Sequence, residues 1–219
     1  MDVDWARVAA LGPEIAAQLR EHLLLTVIAV VVGFLISFPL AIYAHRHRYF
    51  YGPVTAVTGI MYTIPSISLF VFLQPITGYF SVLTAEVGLV SYTLLILIRN
   101  IVAGLNSVPA DTKEAAVGMG YSRSQLLWKV ELPLALPVIM AGIRLATVTT
   151  IGLVTVTALI GQGGFGLFIL KGLRFFDDTQ MLVGGVCSML LAVAADASLV
   201  VTERSITPWA RRRALRTVG

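Results

Sequence analysis

Charged side chains are scarce in this sequence. Asp, Glu, Lys and Arg make up 13% of its 219 residues, where an ordinary soluble domain carries roughly 25%. With 57% hydrophobic residues, the polar surface is too small to solvate a globule, which excludes a soluble enzyme and a disordered chain. Cysteine is reduced to Cys187 alone, inside an apolar run. That excludes an internal disulfide framework and leaves an inert packing role. The three histidines, His22, His45 and His47, sit at the ends of apolar runs, and no His-Glu-x-x-His occurs. Metal and hydrolytic chemistry therefore find no support, and no residue is assigned a catalytic or metal-ligating role. The start, with Asp2, Asp4 and Glu14, lacks the basic segment of a signal peptide and is expected to be retained.

What the sequence has in excess is apolar runs of about twenty residues, the length that crosses a ~30 Å hydrocarbon core at 1.5 Å per residue. The spacing predicts an all-α membrane protein, one transmembrane domain over 1–219. Its five spans run from about 22–44, 53–74, 82–105, 136–160 and 181–202. No internal repeat is visible, and an odd span count excludes two inverted halves of equal size. Five helices enclose little alone, so a dimer with the pathway between two subunits is expected. Basic residues concentrate between spans one and two (Arg46, Arg48), between three and four (Lys113, Arg123, Lys129) and in the tail 203–219 (Arg204, Arg211, Arg212, Arg213, Arg216). The start and the other two loops hold only Arg7, Arg20, Lys171 and Arg174. Loops rich in Lys and Arg stay in the cytoplasm, so the N-terminus is expected outside and the C-terminus inside. The Arg211–Arg216 cluster suits anionic lipid headgroups or a topology anchor; nothing points to nucleic acid.

The loop over about 106–135 carries two helix-start signals. Asp111-Thr-Lys-Glu114, just after Pro109, and Ser122-Arg-Ser-Gln125 each place a capping residue three positions before Glu or Gln. The expected product is a short helix ending near Gly118 and Gly120, then an elbow. A second amphipathic helix bearing Leu126, Leu127 and Trp128 should come next and stop before Pro133. A structured loop of this kind suits a docking surface for a cytoplasmic partner.

The residues of this loop carry a family resemblance. Glu114-Ala115-Ala116, Gly120 four residues on, and Val130-Glu-Leu132-Pro133 ten beyond the glycine resemble the EAA loop of ABC importer permeases. Leu97-Ile-Arg-Asn100, the stretch from Lys129 to Arg144 and Ala158 to Gly166 resemble the osmoprotectant branch, which carries glycine betaine, choline or carnitine. The resemblance implies a type I importer permease of a bacterial or archaeal inner membrane, with no enzymatic activity of its own. It implies a second permease, identical or paralogous, two cytoplasmic ATPases that hold ATP and Mg, and an extracellular substrate-binding protein. It implies that Glu114, Ala115, Ala116 and Gly120, supported by Leu132 and Pro133, form the ATPase-coupling surface. A permease for methionine or another amino acid is the alternative within the class. A self-sufficient channel or scaffold is the alternative outside it, but such a protein has no use for an ATPase dock.

Gly161-Gln-Gly163-Gly-Phe-Gly166 satisfies G-x-G-x-x-G, yet an apolar helix rather than a strand precedes it, so glycines for a turn at the outer mouth are expected instead. Pro39 and Pro65 should kink or open their spans. Around the second, Thr63, Ser66 and Ser68 either recapture freed backbone groups or line a polar path. Phe70, Phe72, Phe165 and Phe168 are expected to pack rather than form a cage. Three charges lie inside spans at one depth: Arg99, Arg144 and Asp196. An isolated charge there costs ~2.5–3.5 kcal/mol or more, and a carboxylate cannot snorkel as an arginine can. Asp196 is therefore expected to face Arg99 or Arg144.

Overall fold

Long apolar runs without turn residues must satisfy their backbone groups internally, and in lipid only helices and closed barrels do so. The computed structural model describes residues 4–209, and the regular structure of those residues is helical. In chain order the helices are α1 (Trp5–Ala10), α2 (Gly12–Arg46), α3 (Arg48–Thr63), α4 (Ser66–Thr77) and α5 (Val82–Asn106). Then come α6 (Ala110–Gly118), α7 (Arg123–Leu126), α8 (Leu132–Thr157), α9 (Gly166–Phe175) and α10 (Asp178–Ile206). The expected basic cluster Arg211–Arg216 lies outside the described residues.

Four stretches are long and apolar enough to cross a membrane: Gly12–Arg46, Val82–Asn106, Arg123–Ile160 and Asp178–Ile206. The expected single span over 53–74 opens at Pro65, where a kink or opening is expected, and is corrected in its continuity. It is two helices, α3 and α4, bent by 100° at Ile64-Pro65, so five crossings result only if the bent pair counts as one. The cause is local. A residue before proline is pushed out of the helical region, and Ile64 is extended, with φ −64° and ψ 129°. The break frees carbonyls in an apolar setting, and two hydroxyls recover them: Thr63 Oγ1 donates to Ile60 O at 2.8 Å, and the Tyr92 hydroxyl donates to Ile64 O. Pro39, by contrast, is carried inside an uninterrupted α2.

The first span starts earlier than expected. α2 has 35 residues, about 52 Å at 1.5 Å per residue. Pro13 in its first turn and Glu14 beside the positive helix end favour a start at Gly12, a polar stretch that apolar counting passes over.

α5 is the central element, with 67% of its most apolar window buried, whereas α10 has only 17%. Small residues let the backbones close on α5. A Cβ at Gly33 of α2 would overlap Thr93, and one at Gly142 of α8 would overlap Asn100. The core divides along the bundle. Leu97, Ile98, Ile101 and Leu105 of α5 pack with Leu127 and Ala135 near the 106–131 loop. Ala85 and Leu89 pack with Leu25, Ala29, Phe70 and Val154 toward the other end. Phe165 and Phe168 join Val183 beneath α9. Three of the four phenylalanines are thus core residues, while Phe72 is exposed.

Candidate functional site

The 106–131 loop is the element whose geometry is most specific. α6 starts one residue before the expected cap, because Pro109, with φ −57°, takes the N-cap position and makes no side-chain bond. Asp111 instead lies in the first turn, where its charge opposes the positive helix end. The C-terminus closes as a Schellman motif. Tyr121 N donates to Ala116 O at 3.1 Å and Gly120 N to Val117 O at 2.9 Å, with Gly120 left-handed at φ +85°. Nothing lies within 4 Å of where a Gly120 Cβ would stand, so conformation rather than crowding requires glycine there.

The second cap forms fully. Ser122 Oγ accepts from Gln125 N at 3.3 Å, and Gln125 Oε1 accepts from Ser122 N at 2.9 Å. The helix does not stop before Pro133, however. It passes through a π turn, Leu127–Glu131, straight into α8. Pro133 has no N–H and its ring crowds the carbonyl four residues back. A wider turn with an i→i+5 bond, Leu132 N to Leu127 O, accommodates both defects.

Of the six coupling residues read from the sequence, Glu114, Ala115 and Gly120 are exposed on or just after α6, Leu132 and Pro133 are half-buried, and Ala116 faces inward at 2% exposure. Val117, Met119 and Trp128 add exposed apolar surface beside them. The result is a short helix with a small-residue outer face, flanked by exposed apolar side chains and held in a fixed elbow.

Among the intramembrane charges, Asp196 meets Arg144 in a two-pronged pair, Nε to Oδ1 at 2.8 Å and Nη2 to Oδ2 at 3.0 Å. Glu203, two turns on in α10, adds a longer bond to Arg144 Nη1 at 3.4 Å. Arg99 is exposed and takes part in no ion pair among the described residues. It projects from α5, whereas α8 is the helix packed beside α10. Thr63 and Pro65 are exposed at the α3–α4 bend, with Ser66 and Ser68 half-buried. The Thr63 hydroxyl is engaged in backbone repair.

At the far end, the glycine turn is a built loop. Gly161 and Gly164 have φ +78° and +92°, and Gly166 lies so close to Thr155 that any Cβ would overlap its backbone. The sequence pattern puts His22 at a span end with no further role, yet it is fully buried and pins this turn. Its Nδ1 accepts from Phe165 N at 3.2 Å and its Nε2 donates to Ile151 O at 3.0 Å. Gln18, one turn before it, accepts from Gly164 N at 2.7 Å. The readable signal is that polar pair at i and i+4 leading into an apolar run.

Comparison with known proteins agrees with this architecture. Residues 22–208 match the family model described as "Binding-protein-dependent transport system inner membrane component". The choline transport system permease protein OpuBB of Bacillus subtilis is 35% identical over 202 residues, covering 92% of this chain and 93% of that one. The osmoprotectant import permease protein OsmW of Salmonella typhimurium is 36% identical, covering 89% and 92%. In fold, the chain resembles inward-facing structures of the MetNI methionine ABC transporter, with TM-score 0.80 at 22% identity over 90% of this chain and 98% of that one. An amino acid ABC transporter gives TM-score 0.78 at 16% identity, covering 94% and 100%. With its helices, its glycine elbow and its near full-length relatives in agreement, the chain belongs to the family of inner membrane components of binding-protein-dependent transport systems.

Proposed function

We propose that this chain is one of two permease subunits, identical or paralogous, that form the solute pathway of an ATP-driven importer for a small osmoprotectant such as glycine betaine, choline or carnitine. The observation that carries the reading is the α6 elbow. A short helix with exposed Glu114 and Ala115, ended by a left-handed Gly120, suits insertion into a groove on a cytoplasmic ATPase. ATP and Mg belong to that partner, and an extracellular binding protein delivers solute at the opposite end, near the Gly161–Gly166 turn. The N-terminus then lies outside and the loop inside, in keeping with the basic residues at the loop end. Relatives named for choline and osmoprotectant transport, at 35–36% identity over about nine-tenths of the chain, favour this cargo over an amino acid. The amino-acid transporters resemble it at 16–22% identity, in fold alone.

The test is uptake by proteoliposomes holding the permease with its cognate ATPase and binding protein. ATP-dependent accumulation of glycine betaine, choline or carnitine, without competition from methionine, is expected. Methionine uptake in their place would overturn the cargo, and solute flux independent of ATP would overturn the importer reading.

A further inference from the structure

α6 has little apolar surface with which to hold its place. It is nine residues long, and its one buried side chain is the methyl group of Ala116. Yet a helix that transmits force from a partner must be joined firmly to what it moves. A polar cluster makes the join. Glu131, the last residue of the π turn, is only 8% exposed. Its carboxylate lies 2.9 Å from the Lys113 ammonium, on α6 immediately before the outward-facing Glu114. That same ammonium donates to Leu105 O at 3.1 Å, one of the last carbonyls of α5, which no intrahelical N–H can reach. Glu131 Oε1 is also 3.8 Å from His45 Nε2 in the last turn of α2. The other nitrogen of that ring bonds Asn106 Oδ1, the final residue of α5, at 3.0 Å. One carboxylate thus gathers α6, α8 and the ends of α2 and α5.

The π turn is what allows this. One additional residue in a turn rotates the helix on its N-terminal side by about 100° relative to the helix on its C-terminal side. Trp128 is therefore left outward at 59% exposure while Glu131 points inward. A regular helix through Pro133 would not present both faces in this way.

Resting on the importer reading above, we propose that Glu131 is the positioning residue that fixes the coupling helix to the membrane bundle through Lys113, so that displacement of α6 by the ATPase is passed to α2, α5 and α8. The pair is a transmission contact. Without it the ATPase still docks on the outer face of α6, but its strokes move the bundle less effectively.

The experiment uses the complete complex in proteoliposomes and reads three quantities: ATPase copurified, ATP hydrolysed, and solute taken up. For Glu131→Gln and for Lys113→Met, the ATPase is expected to copurify normally and to hydrolyse ATP. Uptake falls about tenfold, so ATP consumed per solute rises by the same factor, a change on the scale of an ordinary coupling free energy. Exchanging the pair, Lys113→Glu with Glu131→Lys, should return ATP per solute to within about threefold of the wild type, because the opposite charges still face each other. If ATP per solute stays at the wild-type value in the single variants, the proposal is overturned. A loss of assembly that the exchanged pair does not recover also overturns it, since the contact is then ordinary packing. Failure of the wild-type complex to couple ATP to uptake would instead remove the importer reading.

Discussion

At Gly120, what matters is one dihedral angle. The φ of +85° costs an L-residue roughly 1–2 kcal/mol, while the space around the missing Cβ is open. Substitutions should therefore rank by left-handed tolerance and not by size. Gly120→Asn is expected to keep more uptake than Gly120→Ala, and Gly120→Val least of all; an order that tracks side-chain volume would show that the partner's surface, not the elbow, sets the requirement. His22 makes a second prediction at this scale. His22→Phe keeps an aromatic ring but strands Phe165 N–H in a buried site, a loss of about 1–3 kcal/mol. It should lower the thermal midpoint in detergent, whereas exposed Arg20→Ala should leave it within about 0.5 kcal/mol. Equal midpoints for the two variants would mean that the glycine turn does not depend on this imidazole.

Helices read well from the sequence where apolar length decides the matter, and poorly where proline chemistry does. α5, α8 and α10 lie within a few residues of their expected positions because single charges such as Arg99, Arg144 and Asp196 do not break a long apolar run. Three of the prolines inside or beside spans behave differently for reasons outside the local pattern. Pro39 is absorbed by α2, while Pro65 turns the chain by 100° with the Tyr92 hydroxyl waiting 28 positions away to take the Ile64 carbonyl. Pro133 is accommodated by a π turn that periodicity does not signal. Helix contacts are likewise a tertiary property. Gly142 and Gly59 look alike in sequence, but a Cβ at the first overlaps Asn100 and at the second meets nothing within 4 Å. Gly142→Ala should thus reduce the yield of folded permease and its thermal midpoint. Gly59→Ala should match the wild type or gain roughly 0.5–1 kcal/mol, as a helical Gly-to-Ala change does. Equal destabilisation at the two positions would contradict the α5–α8 packing.

Across the whole molecule, charge sets both the internal tie and the orientation. Arg144, Asp196 and Glu203 link α8 to α10, the least buried of the four long apolar stretches, and their side chains are 30%, 39% and 23% exposed. Such a group is costly against lipid, so this face belongs toward water or other protein. Asp196→Ala, which leaves Arg144 without its main partner, should reduce stability or transport more than Arg99→Ala, since Arg99 has no such pair among the described residues. That the carboxylate would seek an arginine was legible from depth along the spans; which arginine depended on α8, not α5, lying beside α10. Orientation is set by the ends of the helices. Arg46, Arg48, Lys113, Arg123, Lys129 and Arg204 gather at the loop end, against Arg7, Arg20, Lys171 and Arg174 at the other. In a Cys187→Ser background, a cysteine at Phe175, 75% exposed at the end of α9, should react in intact cells with an impermeant thiol reagent. One at Ser124, exposed on the 106–131 loop, should react only after the membrane is opened. The reverse pattern would place the α6 elbow outside, away from ATP, and the function built on that elbow would fall with the orientation.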